Sequence, residues 1–262
     1  MNKNKFGKNS FTLSETLITI VILGIIAVVV VPSIINNYQK RLTITKLKKA
    51  YATLEVAAAN IAGNTGCLGK DIGCTGLLEQ YTNNYSSDLT QKFFELSGMK
   101  VDKKYIGGGE YKALNYDSMS ESGKINARRH PYYIFTDKNN IGYSITNGTL
   151  RLDSDTIQKA LFVMVYTNPD FSSNKASFVD NSGNSFDKDI FKNIKEGYNV
   201  FSFVIYDNFI VEPTTGCFGG AKYPLSKNSD ANSGCNKNGT LNCYGNSCAA
   251  KIIKDGWKIT YY

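Results

Sequence analysis

The sequence predicts an α+β protein: a long N-terminal helix, membrane-spanning in its first half and amphipathic in its second, packed on an antiparallel β-sheet head with a disulfide-stapled C-terminal loop. Three observations predict it. From Leu17 to Val31 only Thr19, Gly24 and the small Ala27 interrupt large apolar side chains. Leu47, Tyr51, Leu54, Ala58 and Ile61 then recur at spacings of four, three, four and three, which is one face of a helix. Beyond residue 130, β-branched and aromatic segments alternate with Asn-, Asp- and Gly-rich turns.

The apolar segment extends from Phe11 to Ile35, 25 residues, or about 37 Å as a helix at ~1.5 Å per residue. That exceeds the ~30 Å hydrocarbon thickness of a bilayer. Lys3, Lys5 and Lys8 precede it, and Lys40, Arg41, Lys46, Lys48 and Lys49 follow it. The net charge of +8 is therefore partly local, and no sustained basic stripe elsewhere points to nucleic acid. A cleavable secretory signal fits poorly: Val30, Val31 and Pro32 offer no small-residue cut site, and the run is longer than an ordinary signal core. Glu15 is the informative residue. A carboxylate inside a membrane helix costs roughly 2.5–3.5 kcal/mol, so it implies a function and a partner.

The segment FTLSETLITIVILGIIAVVVVP resembles the prepilin N-terminal motif of type IV pilins and type II secretion pseudopilins. The resemblance rests on Phe11, Thr12, Leu13, Glu15, Gly24 and Pro32, in order and spacing. It implies a basic leader over residues 1–10, cleavage between Ser10 and Phe11 by a prepilin peptidase, and N-methylation of Phe11. Ser10 stands where the family usually carries Gly. A cut after Gly7 would instead make Phe11 fourth and Glu15 eighth, so the Ser10–Phe11 bond is the expected site. The resemblance further implies that Glu15 pairs with the N-terminal amine of a neighbouring subunit during assembly, and that Gly24 and Pro32 let the helix bend or melt locally. Implied partners are identical or related pilin subunits, the peptidase, an inner-membrane assembly platform and the lipid bilayer. The implied location is the bacterial inner membrane, with the head outside the cytoplasm, and then a filament. The corresponding divisions are a filament-core helix over 11–35, its amphipathic continuation over 36–62 and a pilin-like head over 63–262.

Gly63, Asn64 and Gly66 should end the helix. The six cysteines are Cys67, Cys74, Cys217, Cys235, Cys243 and Cys248. With no CxxC pair and His130 as the only histidine, disulfides are favoured over a zinc site. Cys67 and Cys74 flank a short Gly-containing loop and are expected to pair; the four C-terminal cysteines allow three pairings. Leu89, Phe93, Phe94 and Leu96 predict a short helix stopped by Gly98, and residues 98–128 read as loops. Lys103, Lys104 and Gly107 to Gly109 lack a phosphate-loop pattern. Strands are expected over Tyr132–Thr136, Ile141–Ile145, Thr149–Leu152, Leu161–Tyr166, Tyr198–Tyr206 and Phe209–Val211. The stretch from Phe178 resembles the strand-and-turn segment of pilin-like heads. Chain-terminal segments read as a short helix from Cys248 and a final strand, with Trp257 as a core anchor.

Asp180, Asn181, Ser182, Asn184, Asp187 and Asp189 form an oxygen-rich cluster, but the EF-hand pattern is missing and Asx-rich turns are commonplace. No metal or cofactor is expected. One histidine and six cysteines bound for disulfides leave no catalytic constellation, so an enzyme is not expected. The expected function is a structural filament subunit. The alternative is a membrane-anchored adhesin or ligand-binding head that is not a bulk filament subunit.

Overall fold

A computed structural model of the chain describes residues 12–78, 87–108, 132–151, 157–168, 173–179, 185–191, 197–214, 235 and 248–261. The chain divides into two compact units, Met1–Leu42 and Thr43–Tyr262. Helix α1, Leu13–Asn64, contributes to both.

In the first unit, every described side chain as far as Gln39 is exposed. These include Leu17, Ile20, Val21, Ile22, Leu23 and Ile26, which surround the helix rather than forming a stripe. A helix apolar all round requires an apolar solvent or an equally apolar partner. It is the one described helix long and apolar enough to cross a membrane.

In the second unit α1 becomes one-sided. Leu47, Ala50, Leu54, Ala57, Ala58, Ile61 and Ala62 are buried, while Ala52, Glu55 and Val56 face outward. Leu47, Leu54, Ala58 and Ile61 therefore lie where the periodicity puts them, and four alanines narrow the buried face. Tyr51 is half-buried, stacks on Phe203 with ring centroids 5.6 Å apart, and donates to the Val211 carbonyl at 3.3 Å. The helix stops by a Schellman arrangement. Gly66 adopts φ +69°, letting its N–H reach the Gly63 carbonyl at 3.2 Å and the Cys67 N–H reach the Ala62 carbonyl at 2.8 Å. A left-handed residue is needed there, which glycine supplies without steric cost.

Helix α2, Ser87–Ser97, buries Leu89, Phe93 and Phe94. The Phe94 ring meets Phe135 edge-on at 5.5 Å and Tyr143 at 5.9 Å. Thr90 ties the helix to the sheet, its hydroxyl accepting the Ile145 N–H at 3.2 Å.

The strands are β1 (Lys103–Gly108), β2 (Tyr132–Thr136), β3 (Gly142–Arg151), β4 (Ile157–Tyr166), β5 (Ser173–Val179), β6 (Ser185–Phe191), β7 (Val200–Ile205) and β8 (Val211–Pro213). They form one sheet in the order β5-β6-β1-β2-β3-β4-β7-β8. The six strands from β1 to β8 in that order pair antiparallel throughout; the β5–β6 hairpin joins by a short parallel pairing, Gly107 opposite Asp189 and Gly108 opposite Ile190. One face of the central strands, carrying Leu161, Val163, Val165, Phe201, Phe203 and Ile205, shares a core with α1 and α2. The alternate residues Ala160, Phe162, Val204 and Tyr206 form a second buried cluster on the other face. Helix α3, Cys248–Lys254, adds Ala249 and Ile252 to the main core.

Four expectations change. Residues 103–108, expected as loop, form β1: Lys-Lys-Tyr-Ile-Gly-Gly lacks apolar alternation, and its extended form comes from pairing with β2, from Lys103 opposite Thr136 to Gly107 opposite Tyr132. Thr149–Leu152 is not a separate strand; Thr149, Leu150 and Arg151 continue β3, held by an unbroken ladder with β4. That ladder also starts β4 at Ile157 rather than Leu161. The final strand is missing from residues 258–261. Side chains hold that segment instead: Thr260 donates to Asp255 at 2.6 Å, and the buried Tyr261 donates to the Gly197 carbonyl.

Two substitutions test this packing. Leu54→Ala should cost about 2–5 kcal/mol in urea unfolding of the detergent-solubilised chain, because Leu54 is fully buried. Gly142→Val should also destabilise. A Cβ at Gly142 would lie 2.8 Å from Ile134 Cγ2 and 3.1 Å from Tyr166 Cβ, so neighbouring side chains would have to move.

Candidate functional site

The first turn of α1 holds the sequence-predicted carboxylate. Thr12 and Glu15 form a reciprocal capping box. The Glu15 carboxylate accepts the Thr12 N–H at 2.8 Å and the Thr12 hydroxyl at 2.9 Å, and the Glu15 N–H reaches back to the Thr12 hydroxyl at 3.3 Å. Two backbone donors at the helix start are thereby satisfied, and the negative charge sits at the positive end of the helix dipole. Further along, the Thr16 hydroxyl donates to the Leu13 carbonyl and the Thr19 hydroxyl to the Thr16 carbonyl, both at 2.8 Å. The side chains of Thr12, Glu15, Thr16 and Thr19 thus have partners within the first turns of the helix, as an apolar surrounding demands.

Ser10 and Phe11, the expected processing residues, lie outside the described residues. Gly24 and Pro32 both lie inside a continuous helix. Nothing lies within 4 Å of where a Gly24 Cβ would sit, so no contact within the chain requires glycine. Pro32 lacks an N–H, which leaves the Val28 carbonyl without its usual helical donor.

Two disulfides are described. Cys67 and Cys74 pair, their Cα atoms 6.1 Å apart, and close the loop directly after the α1 terminus. Cys235 pairs with Cys248, with Cα atoms 5.0 Å apart, fastening the C-terminal loop to the start of α3. Both separations suit a disulfide. Cys217 and Cys243 lie outside the described residues. Trp257 is half-buried; its ring lies 6.3 Å from that of Tyr51, and the Lys48 ammonium sits 5.2 Å from its centroid. It packs as an anchor at the rim of the core rather than its centre.

Of the oxygen-rich cluster, Asp180, Asn181, Ser182 and Asn184 lie outside the described residues, while Asp187 and Asp189 belong to β6. Among the described residues no three His, Cys, Asp or Glu side chains come together as a metal site would require. His130 also lies outside them.

One buried polar group was not singled out by sequence reasoning. Tyr143 is fully buried beside Phe94, and its hydroxyl has no hydrogen-bond partner; Thr53 on α1 is nearby without reaching bonding geometry. Burial, with the neighbouring Asp137 charge, pushes the phenol far above its ordinary range. Asp137 itself is buried and accepts the N–H groups of Asn139 at 2.8 Å and Ile141 at 3.0 Å, closing the β2–β3 turn. Burial lowers the Lys46 amine, and Asp137 opposes that shift. These groups brace the turn against α1: the Lys49 ammonium donates to Asn139 at 2.5 Å. The only sequence signal for Tyr143 was its place in a strand pattern, which does not say where its hydroxyl ends.

Three outcomes follow from this geometry. Tyr143→Phe should raise stability by about 1 kcal/mol, since it removes an unsatisfied buried hydroxyl. A raised folded-state value makes the Tyr143 contribution complete below the unfolded value of about 10 and lost as pH rises beyond it. Alkaline unfolding should accordingly shift to higher pH in Tyr143→Phe, read by circular dichroism. Replacing Cys67 and Cys74 together by Ser should cost about 2 kcal/mol in the same unfolding assay.

Set against family models, curated proteins and solved structures, the chain matches none.

Proposed function

We propose that this chain is a structural subunit of a type IV pilus-like filament or a type II secretion pseudopilus. In this reading prepilin peptidase cuts it between Ser10 and Phe11, and it assembles through α1. The supporting observation is that one continuous helix carries a fully exposed apolar segment with a carboxylate, Glu15, in its first turn. The α+β head, with an antiparallel sheet sharing a core with the second half of that helix, is compatible with a pilin-like fold.

The mechanism follows from the energetics of the apolar segment. Before assembly the segment lies in the inner membrane, with the head outside the cytoplasm. Cleavage frees an amine at Phe11, and methylation keeps it cationic. Glu15 then exchanges its local bonds to Thr12 for an ion pair with the amine of a neighbouring subunit. At low dielectric the attraction is large, and it offsets desolvation only when the two groups meet closely. The exposed Leu, Ile and Val side chains leave lipid and pack on one another as a filament core. Identical or related subunits, the peptidase, an assembly platform and the bilayer are the partners. The chain acts by assembly, with no catalytic step of its own.

Intact mass of the membrane-extracted protein is the direct test. The expected species lacks residues 1–10 and carries one added methyl group. A mature chain retaining Met1, or starting beyond Pro32, would overturn the reading. Glu15→Val should leave membrane insertion intact and abolish filaments seen by electron microscopy; normal filaments from that variant would refute the pairing mechanism.

A further inference from the structure

We propose that Cys67–Cys74 is an exchangeable disulfide with a fixed polarity: an outside thiol or disulfide engages Cys74, and Cys67 is the sulfur that leaves and then closes the bond again. The partner is a small thiol or a dithiol oxidoreductase. This exchange takes place on the folded head and is independent of filament assembly.

The two described disulfides are enclosed to different degrees. Cys235 and Cys248 are each 0% exposed, so that bond is sealed at both ends. Cys67 is 1% exposed, but its partner Cys74 lies at the surface. Thiol–disulfide exchange depends on access to the sulfur under attack. Of these four cysteines only Cys74 grants access without local unfolding, and the free energy of such opening suppresses reaction at the others.

Both arms of the bond are held by contacts that do not involve sulfur. The Cys67 N–H reaches the Ala62 carbonyl at 2.8 Å, at the end of α1. Ile72, fully buried in the main core, donates its N–H to the Asp207 carbonyl in the turn between β7 and β8. A single 3-10 turn, Ile72–Thr75, carries Cys74, and the Thr75 hydroxyl donates back to the Ile72 carbonyl at 2.7 Å. The two Cα atoms, 6.1 Å apart, are therefore kept close when the sulfur bond opens. A nucleophile held this near its target reacts at high effective concentration. Cys67 is thus placed as the resolving thiol, and the Thr65 carbonyl, 3.9 Å from its sulfur, can accept the S–H in the reduced chain.

Leu68, Gly69, Lys70 and Asp71, between the two cysteines, wall a hollow of about 540 Å3. This acidic trough gathers Glu55, Asp71 and Asp207 against one base, Lys70, and disfavours anionic reagents. Leu68, 72% exposed, offers an incoming partner an apolar contact next to Cys67. In opening, an outside thiolate bonds to the Cys74 sulfur. The bond between the cysteines breaks, and its electron pair leaves on Cys67, which takes a proton from water. In closing, the Cys74 thiolate bonds to one sulfur of the oxidoreductase disulfide, and the other sulfur leaves as a thiolate. Cys67 then gives its proton to water and attacks the Cys74 sulfur, expelling the oxidoreductase. The two cysteines lose two electrons, which reduce the oxidoreductase disulfide to a dithiol.

The test uses the full-length chain in detergent and a small neutral thiol, mercaptoethanol. Brief native exposure is quenched in acid, and the remaining thiols are alkylated in denaturant before peptide mass mapping. The expected mixed disulfide sits on Cys74, with Cys67 alkylated. Mixed disulfides on Cys67, Cys235 and Cys248 should form on the order of a hundredfold more slowly. Adducts on any of those three at the Cys74 rate overturn the proposal, as does a Cys74 that stays unmodified until the chain unfolds. Two single variants check the resolving step. Offered the symmetric disulfide of mercaptoethanol, Cys67→Ser should accumulate a stable adduct on Cys74, whereas Cys74→Ser should leave Cys67 unmodified over the same time. Cys74→Ser modified as fast as Cys67→Ser, with the circular dichroism of the unaltered chain, refutes the assigned polarity. If either variant unfolds, the mapping of the unaltered chain decides.

Discussion

The burial of one face of α1 from Leu47 to Ala62 is the contact on which the head depends. Leu47, Leu54, Ala58 and Ile61 share a core with Val163, Val165, Phe201 and Phe203 from β4 and β7. At roughly 25 cal/mol per Å2 of apolar surface removed from water, this is the largest favourable contribution the helix can make to the head. It also obliges the helix to change character along its length. The same hydrogen-bonded cylinder is apolar on all sides as far as Ile35 and one-sided after Lys46. No break in backbone hydrogen bonding separates the two regimes apart from the donor missing at Pro32. Side-chain identity alone assigns each stretch its solvent.

Around that contact the remaining elements act as restraints. The Schellman stop at Gly66 turns the chain into the loop closed by Cys67 and Cys74, and that loop is hydrogen-bonded to the β7–β8 turn. The second disulfide, Cys235–Cys248, fixes the start of α3, whose own end repeats the Schellman pattern: the Trp257 N–H reaches the Ile252 carbonyl at 2.7 Å. Trp257 then lies beside Tyr51, with Lys48 over its ring. The head is thus held to α1 by aromatic and hydrogen-bonded contacts, while the two disulfides fix the loops that adjoin them.

Glu15 has one role in the structure and would take a second under the proposed mechanism. In the uncut chain its carboxylate is satisfied by Thr12 in a capping box. Under the proposed mechanism that local arrangement holds a charge which a neighbouring amine later claims. The cap keeps the carboxylate hydrogen-bonded and oriented at the helix start until then. A capped acid in an apolar setting costs less than an uncapped one.

What the sequence determined by itself was local and periodic. The apolar run, the stripe from Leu47 to Ile61, the Gly66 stop, the α2 pattern around Phe93 and the β2–β3 hairpin around Asp137 are each decided within a few residues of chain. So is the Cys67–Cys74 pairing, because a loop that short brings its ends together. The tertiary structure decided what depends on partners distant in sequence. Residues 103–108 are a strand because β2 lies beside them, and the segment after Trp257 is not one because Asp255 and Gly197 hold its side chains first. The choice of Cys235 for Cys248 was open among three pairings until the fold brought them together. The unpartnered Tyr143 hydroxyl and the acidic trough had no linear signature at all. Glu55, Asp71 and Asp207 lie far apart in the chain and share a hollow only because a helix, a disulfide loop and a strand turn converge there. Periodicity reports which face an element buries; only the packing of elements reports what that face meets.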